Sequence, residues 1–259
     1  MIVIRYQSAT GPAFGLVENG VAFALDGDLF DPARPVRRGR KIGPLADVRL
    51  LAPVAPGKIV AVGRNYADHA KEHGGEVPPE PLLFLKAPSA VVGPGEAIRL
   101  TPLSQHVEHE AELALVIGRT AKHVPVAKAW DYVLGVTCAN DVSARDLQKR
   151  DGQWARAKSL DTFCPLGPWI VTGLSLDEVL NLPITCRVNG VVKQQATAGD
   201  MVFGPATLVA HASAAMTLFP GDIILTGTPA GVSPIRAGDS VEVELGRIGI
   251  LRNPVLGDE

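Results

Sequence analysis

The stretch HVEHEAELALVIG, residues 106 to 118, places Glu108, Glu110 and Glu112 at every second position of an otherwise apolar run. In an extended strand alternate residues share a face, so the glutamates lie with Ala114 and Val116, opposite Val107, His109, Ala111, Leu113, Leu115 and Ile117. Same-face neighbours are about 6.6 Å apart at a rise of about 3.3 Å per residue, close enough for their side chains to converge. Buried carboxylates that converge must protonate, pair with cations or hold a metal, because an uncompensated buried charge is costly. A solvent-facing edge strand, or a helix with Glu108 and Glu112 on one side, fits the same letters.

A second acidic position follows in YVLGVTCANDVSARDLQ, residues 132 to 148, where an apolar strand runs into Asn140 and Asp141 and then a short polar, helical turn. Asp141 or Ser143 can cap that helix, with Asp146 as a capping-box partner. Alternatively, Asp141 is the third carboxylate that an oxygen-only octahedral site needs after two glutamates. The local sequence leaves both readings open.

The elements that must position these groups are mostly strands. KIVAVG, PLLFLK, AELALVIG, YVLGVTCA, PWIVTG, ITCRVNG, DIILTG and SVEVEL read as strands, without regular alternation of strand and helix. FGLVENGVAFAL sets two apolar runs around Asn19-Gly20, a hairpin signal. A helix is expected after Pro205, with Leu208, Ala212, Ala215 and Phe219 at helical spacing and a stop at Pro220-Gly221. The class is β-rich α+β. The break APVAPGK at 52 to 58 divides a small β-rich unit, residues 1–55, from a larger one, residues 56–259.

Composition narrows the function classes. Hydrophobic residues are 46% and charged residues 20%, the balance of a chain that folds around a core rather than one that stays disordered. Lysine plus arginine, 25, nearly match aspartate plus glutamate, 27, so no polyanion-binding surface and no nucleic-acid partner are expected. The basic cluster RPVRRGRK at 34 to 41 reads as a solvated loop. TGTPAG at 226 to 231 lacks the GK[ST] ending of a phosphate loop, and GRNYADH lacks the second glycine of a dinucleotide fingerprint. Cys138, Cys164 and Cys186 are odd in number and widely spaced, which fits a reducing cytoplasm, and no run approaches the roughly 20 apolar residues of a membrane span.

Taken in order, GRNYADHAKEH, LFLKAPSAVVGPG, HEAELALVIG, GVTCANDVSARDLQ, AKSLDTFCPLGPWIV and DIILTGTPAG resemble the fumarylacetoacetate hydrolase family over roughly residues 56 to 255. The resemblance implies a rolled, mixed β-sandwich, usually paired as a homodimer. It implies Mg²⁺ or Mn²⁺ held by Glu110, Glu112 and Asp141, with Glu108 outside the ligand set and both Glu108 and His109 structural. By the same resemblance Lys158 is the active-site lysine, with Thr162 beside it, and Gln148 and Thr228 contact substrate.

The branch of acylpyruvases and oxaloacetate decarboxylases carries a His-x-x-Glu pair on a short helix, and His69 and Glu72 have that spacing. Residues three apart are neighbours on a helix, so the glutamate can orient the imidazole and raise its basicity. Gly74-Gly75 and Pro78-Pro79 suggest a lid over this segment, and Arg64 is the candidate for a second substrate carboxylate. The expected activity is metal-dependent, on pyruvoyl-type 2-oxo acids through an enolate: C–C hydrolysis of acylpyruvates or decarboxylation of oxaloacetate. The alternative is isomerisation of 2-hydroxyhepta-2,4-diene-1,7-dioate-type dienols, and a noncatalytic binding protein ranks last.

Overall fold

The computed structural model describes residues 1–72 and 74–257. The chain opens with an antiparallel meander of β1 (Ile2–Ser8), β2 (Gly11–Glu18), β3 (Val21–Asp26) and β4 (Arg37–Pro44). Asn19 and Gly20 turn β2 into β3 with φ of 48° and 74°, the positive angles that the hairpin signal requires. Next come β5 (Ile59–Gly63), α1 (Ala67–Glu72), β6 (Leu82–Lys86), and the short β7 (Val91–Val92), β8 (Ile98–Arg99) and β9 (Val107–Glu108). After β10 (Ala111–Ile117) and α2 (Val126–Ala129) the chain forms β11 (Val133–Asn140), β12 (Ser143–Ala144), α3 (Arg145–Asp151), α4 (Ala155–Lys158) and β13 (Cys164–Thr172). It ends with α5 (Leu176–Leu180), β14 (Pro183–Val188), β15 (Val191–Thr197), α6 (Pro205–Ala215), β16 (Ile223–Leu225), β17 (Ser240–Leu245) and β18 (Gly249–Leu256).

Among the described residues these strands make an eleven-stranded sheet, ordered β4-β3-β2-β1-β13-β11-β10-β16-β5-β6 with β7 beside β13, a five-stranded sheet, β15-β14-β17-β18-β8, and a two-stranded pair of β9 and β12. The pairing is mixed: β16 with β5, β13 with β7 and β18 with β8 are parallel and their neighbours antiparallel. Because β1 pairs with β13, the opening meander continues the large sheet.

Leu113, Leu115 and Ile117 on one face of β10 pack in one core with Ile184, Cys186, Val241 and Val243 of the small sheet. Ala114 and Val116 on its other face pack in a second core with Val3, Ile59, Ile223 and Leu225. A strand covered on both sides has no solvent face to mark with polar residues, so β10 reads AELALVI with a single charge. The result is the α+β rolled sandwich of two packed sheets.

Three expectations change. Residues 37–41 of the basic run expected as a loop belong to β4, paired with β3. The run 106–118 is not one strand but β9 and β10, broken at His109 and Glu110, because their amides leave the ladder: His109 N–H donates to Ser233 O and Glu110 N–H to Asn140 Oδ1. The helix after Pro205 stops at Ala215, since Met216 is extended (φ −145°, ψ 151°), and Phe219 lies outside it, 54% exposed.

Asn65, fully buried, fastens the segment after β5 to the segments before α6 and after β16. Its Oδ1 accepts Phe203 N–H at 2.8 Å, and its Nδ2 donates to Phe203 O at 3.0 Å and Thr226 O at 2.7 Å. Asn65→Ala would strand these buried groups, and the expected loss in urea unfolding is about 2 kcal/mol or more. An unchanged midpoint and slope would show that the segments hold without it.

Candidate functional site

The start of β10 and the end of β11 are adjacent because the antiparallel register sets Ala111 opposite Asn140 and Glu112 opposite Ala139. Asp141 N–H donates to Glu110 O at 2.8 Å, extending the pairing by one step past the strand ends. One carboxylate oxygen each from Glu110, Glu112 and Asp141 therefore lies within 4.8 Å of the others, and all three residues are buried. Asp141 does not cap α3, whose first residue follows Ala144 with no side-chain cap. Asp146 bonds instead to Ser104 Oγ and the amides of Gln105 and Leu147.

Three cations from separate segments answer this charge. Lys158, closing α4, holds Glu110 Oε2 and Asp141 Oδ2, each at 2.7 Å. Lys86, closing β6, reaches Asp141 Oδ1 at 2.5 Å and Phe163 O at 3.0 Å. Arg145, opening α3, lies 2.6 Å from Glu110 Oε1 and donates to Glu108 Oε2 at 2.7 Å. Glu108 thus turns to Arg145 and His106, away from the three-carboxylate cluster.

Burial opposes ionisation of Glu110, but Lys158 and Arg145 outweigh it and hold its carboxyl well below the usual range. Burial likewise works against the Lys158 ammonium, yet Asp141 and Glu110 raise its pKa. Glu112 moves the other way: burial, then the charges of Asp141 and Glu110, push its carboxyl well up. Among the described residues it has no ion pair, only the Gly227 N–H at 2.7 Å on Oε2. Four buried carboxylates meet two buried lysines and the half-buried Arg145, and Glu112 is the one left without a cation partner among the described residues. An all-oxygen donor set with that deficit suits a hard divalent cation such as Mg²⁺ or Mn²⁺.

Glu110, Asp141 and Lys158 line a cavity of about 500 Å³, which His69, Arg64, Gln148 and Thr228 also line. On α1, His69 Nδ1 is 3.5 Å from Glu72 Oε2, and the Glu72 carboxylate receives Gly231 N–H at 3.2 Å on each oxygen. The loop 226–231 therefore spans the site, with one amide on Glu112 and another on Glu72. Gln148 Oε1 accepts from Arg145 Nη1 at 2.9 Å.

Arg64 sits in the left-handed region at φ 57°, a conformation kept at some cost in a non-glycine residue. A Cβ on Gly75 would lie 3.0 Å from its Cζ, so a glycine there makes room for the guanidinium. The expected lid, 64–80, contains α1, and its His73 lies outside the described residues. Thr162 does not reach the cavity: its hydroxyl accepts Arg99 N–H at 2.8 Å.

Sequence reasoning passed over Lys86, Arg145, Phe84, Trp154, His106 and Lys149, all of them in or around this site. One signal was visible for Lys86, a lone charge ending the apolar run PLLFL. Phe84 and Trp154 stack edge-to-face at 5.3 Å, and the Lys158 ammonium lies 5.4 Å from the Phe84 ring centre. Gly63 admits Trp154, whose ring would lie 2.4 Å from any Cβ at that position.

Comparison with known proteins adds independent findings. The family model "Fumarylacetoacetate (FAA) hydrolase C-terminal" matches residues 58–256, and "Rv2993c-like, N-terminal" matches residues 1–53. Protein Rv2993c of Mycobacterium tuberculosis is 51% identical over 252 residues, covering 92% of this chain and 95% of that protein. The human protein named oxaloacetate tautomerase FAHD2A, mitochondrial, is 41% identical over 286 residues, covering 99% of this chain and 91% of its own. The crystal structure named 2-hydroxyhepta-2,4-diene-1,7-dioate isomerase from Mycobacterium marinum superposes with a TM-score of 0.90 at 46% identity, over 100% of this chain and 99% of that one. Matched along nearly its whole length in sequence and in fold, the chain belongs to the fumarylacetoacetate hydrolase family.

Proposed function

We propose that this protein is a divalent-metal-dependent enzyme that moves a proton between carbon and oxygen of a 2-oxo dicarboxylic acid, a keto–enol tautomerase or isomerase. The observation that carries this reading is one cavity lined by both buried carboxylates and a histidine whose Nδ1 lies 3.5 Å from a carboxylate. Relatives named as a tautomerase and an isomerase support it over cleavage. A Mg²⁺ or Mn²⁺ ion on Glu110, Glu112 and Asp141 would supply a Lewis acid for the carboxylate and 2-oxo oxygens of such an acid.

The chain's own groups do the rest. His69 is the base that takes the proton from carbon 3: the C–H pair becomes the C2=C3 bond and the carbonyl pair moves onto oxygen, which is protonated to the enol. The reverse path returns the proton to carbon, or to a more distant carbon in a dienol. Glu72 holds the imidazole and offsets the charge it gains. Lys158 stands beside the oxygens on which negative charge grows. Arg64 and Lys149, exposed at the cavity and without ion pairs among the described residues, receive the second carboxylate.

A second reading, C–C cleavage of acylpyruvates or oxaloacetate, draws on the same His69–Glu72 pair, which is suited to activating water. The two separate in one assay. With Mg²⁺, tautomerisation removes the ultraviolet absorbance of enol-oxaloacetate with no pyruvate formed, whereas cleavage yields pyruvate in step with substrate loss.

Three outcomes are expected. In thermal unfolding, Mn²⁺ at about 100 times its Kd stabilises the protein by about 2.7 kcal/mol, and Glu112→Gln loses most of this shift; equal shifts in both would remove Glu112 from the ligand set. His69→Ala lowers kcat/KM by about 10²-fold or more while metal affinity holds, and full activity in that variant would exclude His69 as the base. Arg64→Ala raises KM about ten-fold for dicarboxylates and leaves monocarboxylates unaffected, so an equal rise for both would place Arg64 elsewhere.

A further inference from the structure

We infer that the Thr228 hydroxyl faces the cavity as a hydrogen-bond acceptor, held so by the buried Gln194, and that the site thereby selects a hydroxyl-bearing, enol-type ligand over its keto form. This deepens the proposed function and rests on it.

The polarity follows from counting protons. Gln194, on β15 of the small sheet, is 1% exposed. Its Oε1 lies 3.0 Å from Ala111 N, a backbone amide that can only donate, and its Nε2 lies 2.7 Å from Pro229 O, which can only accept. Those two backbone groups fix which end of the side-chain amide is which, and a flipped amide would set donor against donor and acceptor against acceptor. The His109 ring adds a third contact, Nδ1 at 3.0 Å from Oε1.

The second Nε2 hydrogen points at Thr228 Oγ1, 2.7 Å away, so this hydroxyl accepts. Thr228 Oγ1 is also 2.8 Å from Ala111 O, another group that can only accept, so its single proton goes there. A hydroxyl has one proton and two lone pairs. The proton and one pair are committed, and a lone pair is what remains for the cavity that Thr228 lines.

The cavity's carboxylate acceptors, Glu108, Glu110 and Asp141, are committed to Arg145, Lys158 and Lys86. Arg64, Lys149 and Lys158 bring only donors to the cavity. A keto or carboxylate oxygen can be received by any of them but meets a lone pair at Thr228. An enol or alcohol O–H satisfies it. Buried polar sites discriminate most strongly by leaving such a group unmatched. Gln194 does this without touching the ligand, as a positioning residue carried in from the other sheet.

Two unreactive probes read the polarity by calorimetry on the full-length, Mg²⁺-loaded protein: malate, which has a hydroxyl to donate, and oxalate, which at neutral pH has no proton to give. Thr228→Val should weaken malate about ten-fold and leave oxalate within about twofold, with Thr228→Ser restoring malate. Gln194→Met removes the donor that positions the Thr228 hydroxyl while Ala111 O keeps its proton, so malate should weaken with oxalate held within about twofold, whereas a merely structural role would weaken both. If Gln194→Met does not fold, the Thr228 pair decides. Loss of oxalate equal to or greater than that of malate in Thr228→Val would overturn the inference and leave the proposed function standing. Failure of the unaltered protein to bind either probe would instead sink the 2-oxo acid reading, and this inference with it.

Discussion

Three carboxylates with oxygens inside 4.8 Å of one another, buried in the core, are the constraint on which this structure turns. Their mutual repulsion in the interior must be met locally, because removing one partner of a buried ion pair costs about 3–5 kcal/mol. The chain meets it with cations drawn from the ends of β6, α4 and α3, segments far apart in sequence. Each is delivered by the last or first residue of an element, where the backbone turns away and the side chain alone reaches inward. Glu112 is the ligand candidate that meets only an amide among the described residues, and burial with the nearby charges of Asp141 and Glu110 pushes its carboxyl up.

The sandwich exists to hold that cluster still. β10 is covered on both faces, by the small sheet on one side and by the core beneath β1, β5 and β16 on the other. Its position is fixed further by β11 and β16 along its two edges, so Glu112 cannot move without disturbing four neighbours. The loop 226–231 follows β16 directly and carries this rigidity to α1 through Gly231 and Glu72. An acid cluster in the core and a base on a short surface helix are thereby kept in register across the cavity.

How much of this was legible follows from the range of each interaction. The pairing of Glu110 with Glu112 on one face is a period-two pattern, visible in any extended run, and the His69–Glu72 spacing is equally local. Bringing Asp141 to them requires the register that sets Ala111 against Asn140, which no local pattern encodes; the letters left a ligand role open beside a capping one, and the resemblance to a family favoured the ligand. Lys86 and Arg145 were missed because a charged residue at an element's end looks the same whether its partner is water or a buried carboxylate. The break at His109 and Glu110 was invisible for the same reason: Ser233 and Asn140 draw those amides out of the ladder from 124 and 30 residues away. Gln194 lies in VVKQQAT, a polar strand whose other glutamine is exposed, and nothing in the letters separates the two.

The cavity is graded in charge, and the grading bears on what it can admit. Its depths hold Glu110 and Asp141 locked to lysines, while Arg64 and Lys149, both exposed, line it without an ion pair among the described residues. A ligand with one carboxylate could satisfy the depths or these exposed cations but not both. A nucleotide or sugar phosphate would find no glycine-rich phosphate loop in this sequence. A short chain with an acid group at each end and a 2-oxo or enol group next to one of them matches the grading from end to end. In the proposed function its length would be limited by Arg64, whose φ of 57° and close neighbour Gly75 constrain where the guanidinium lies.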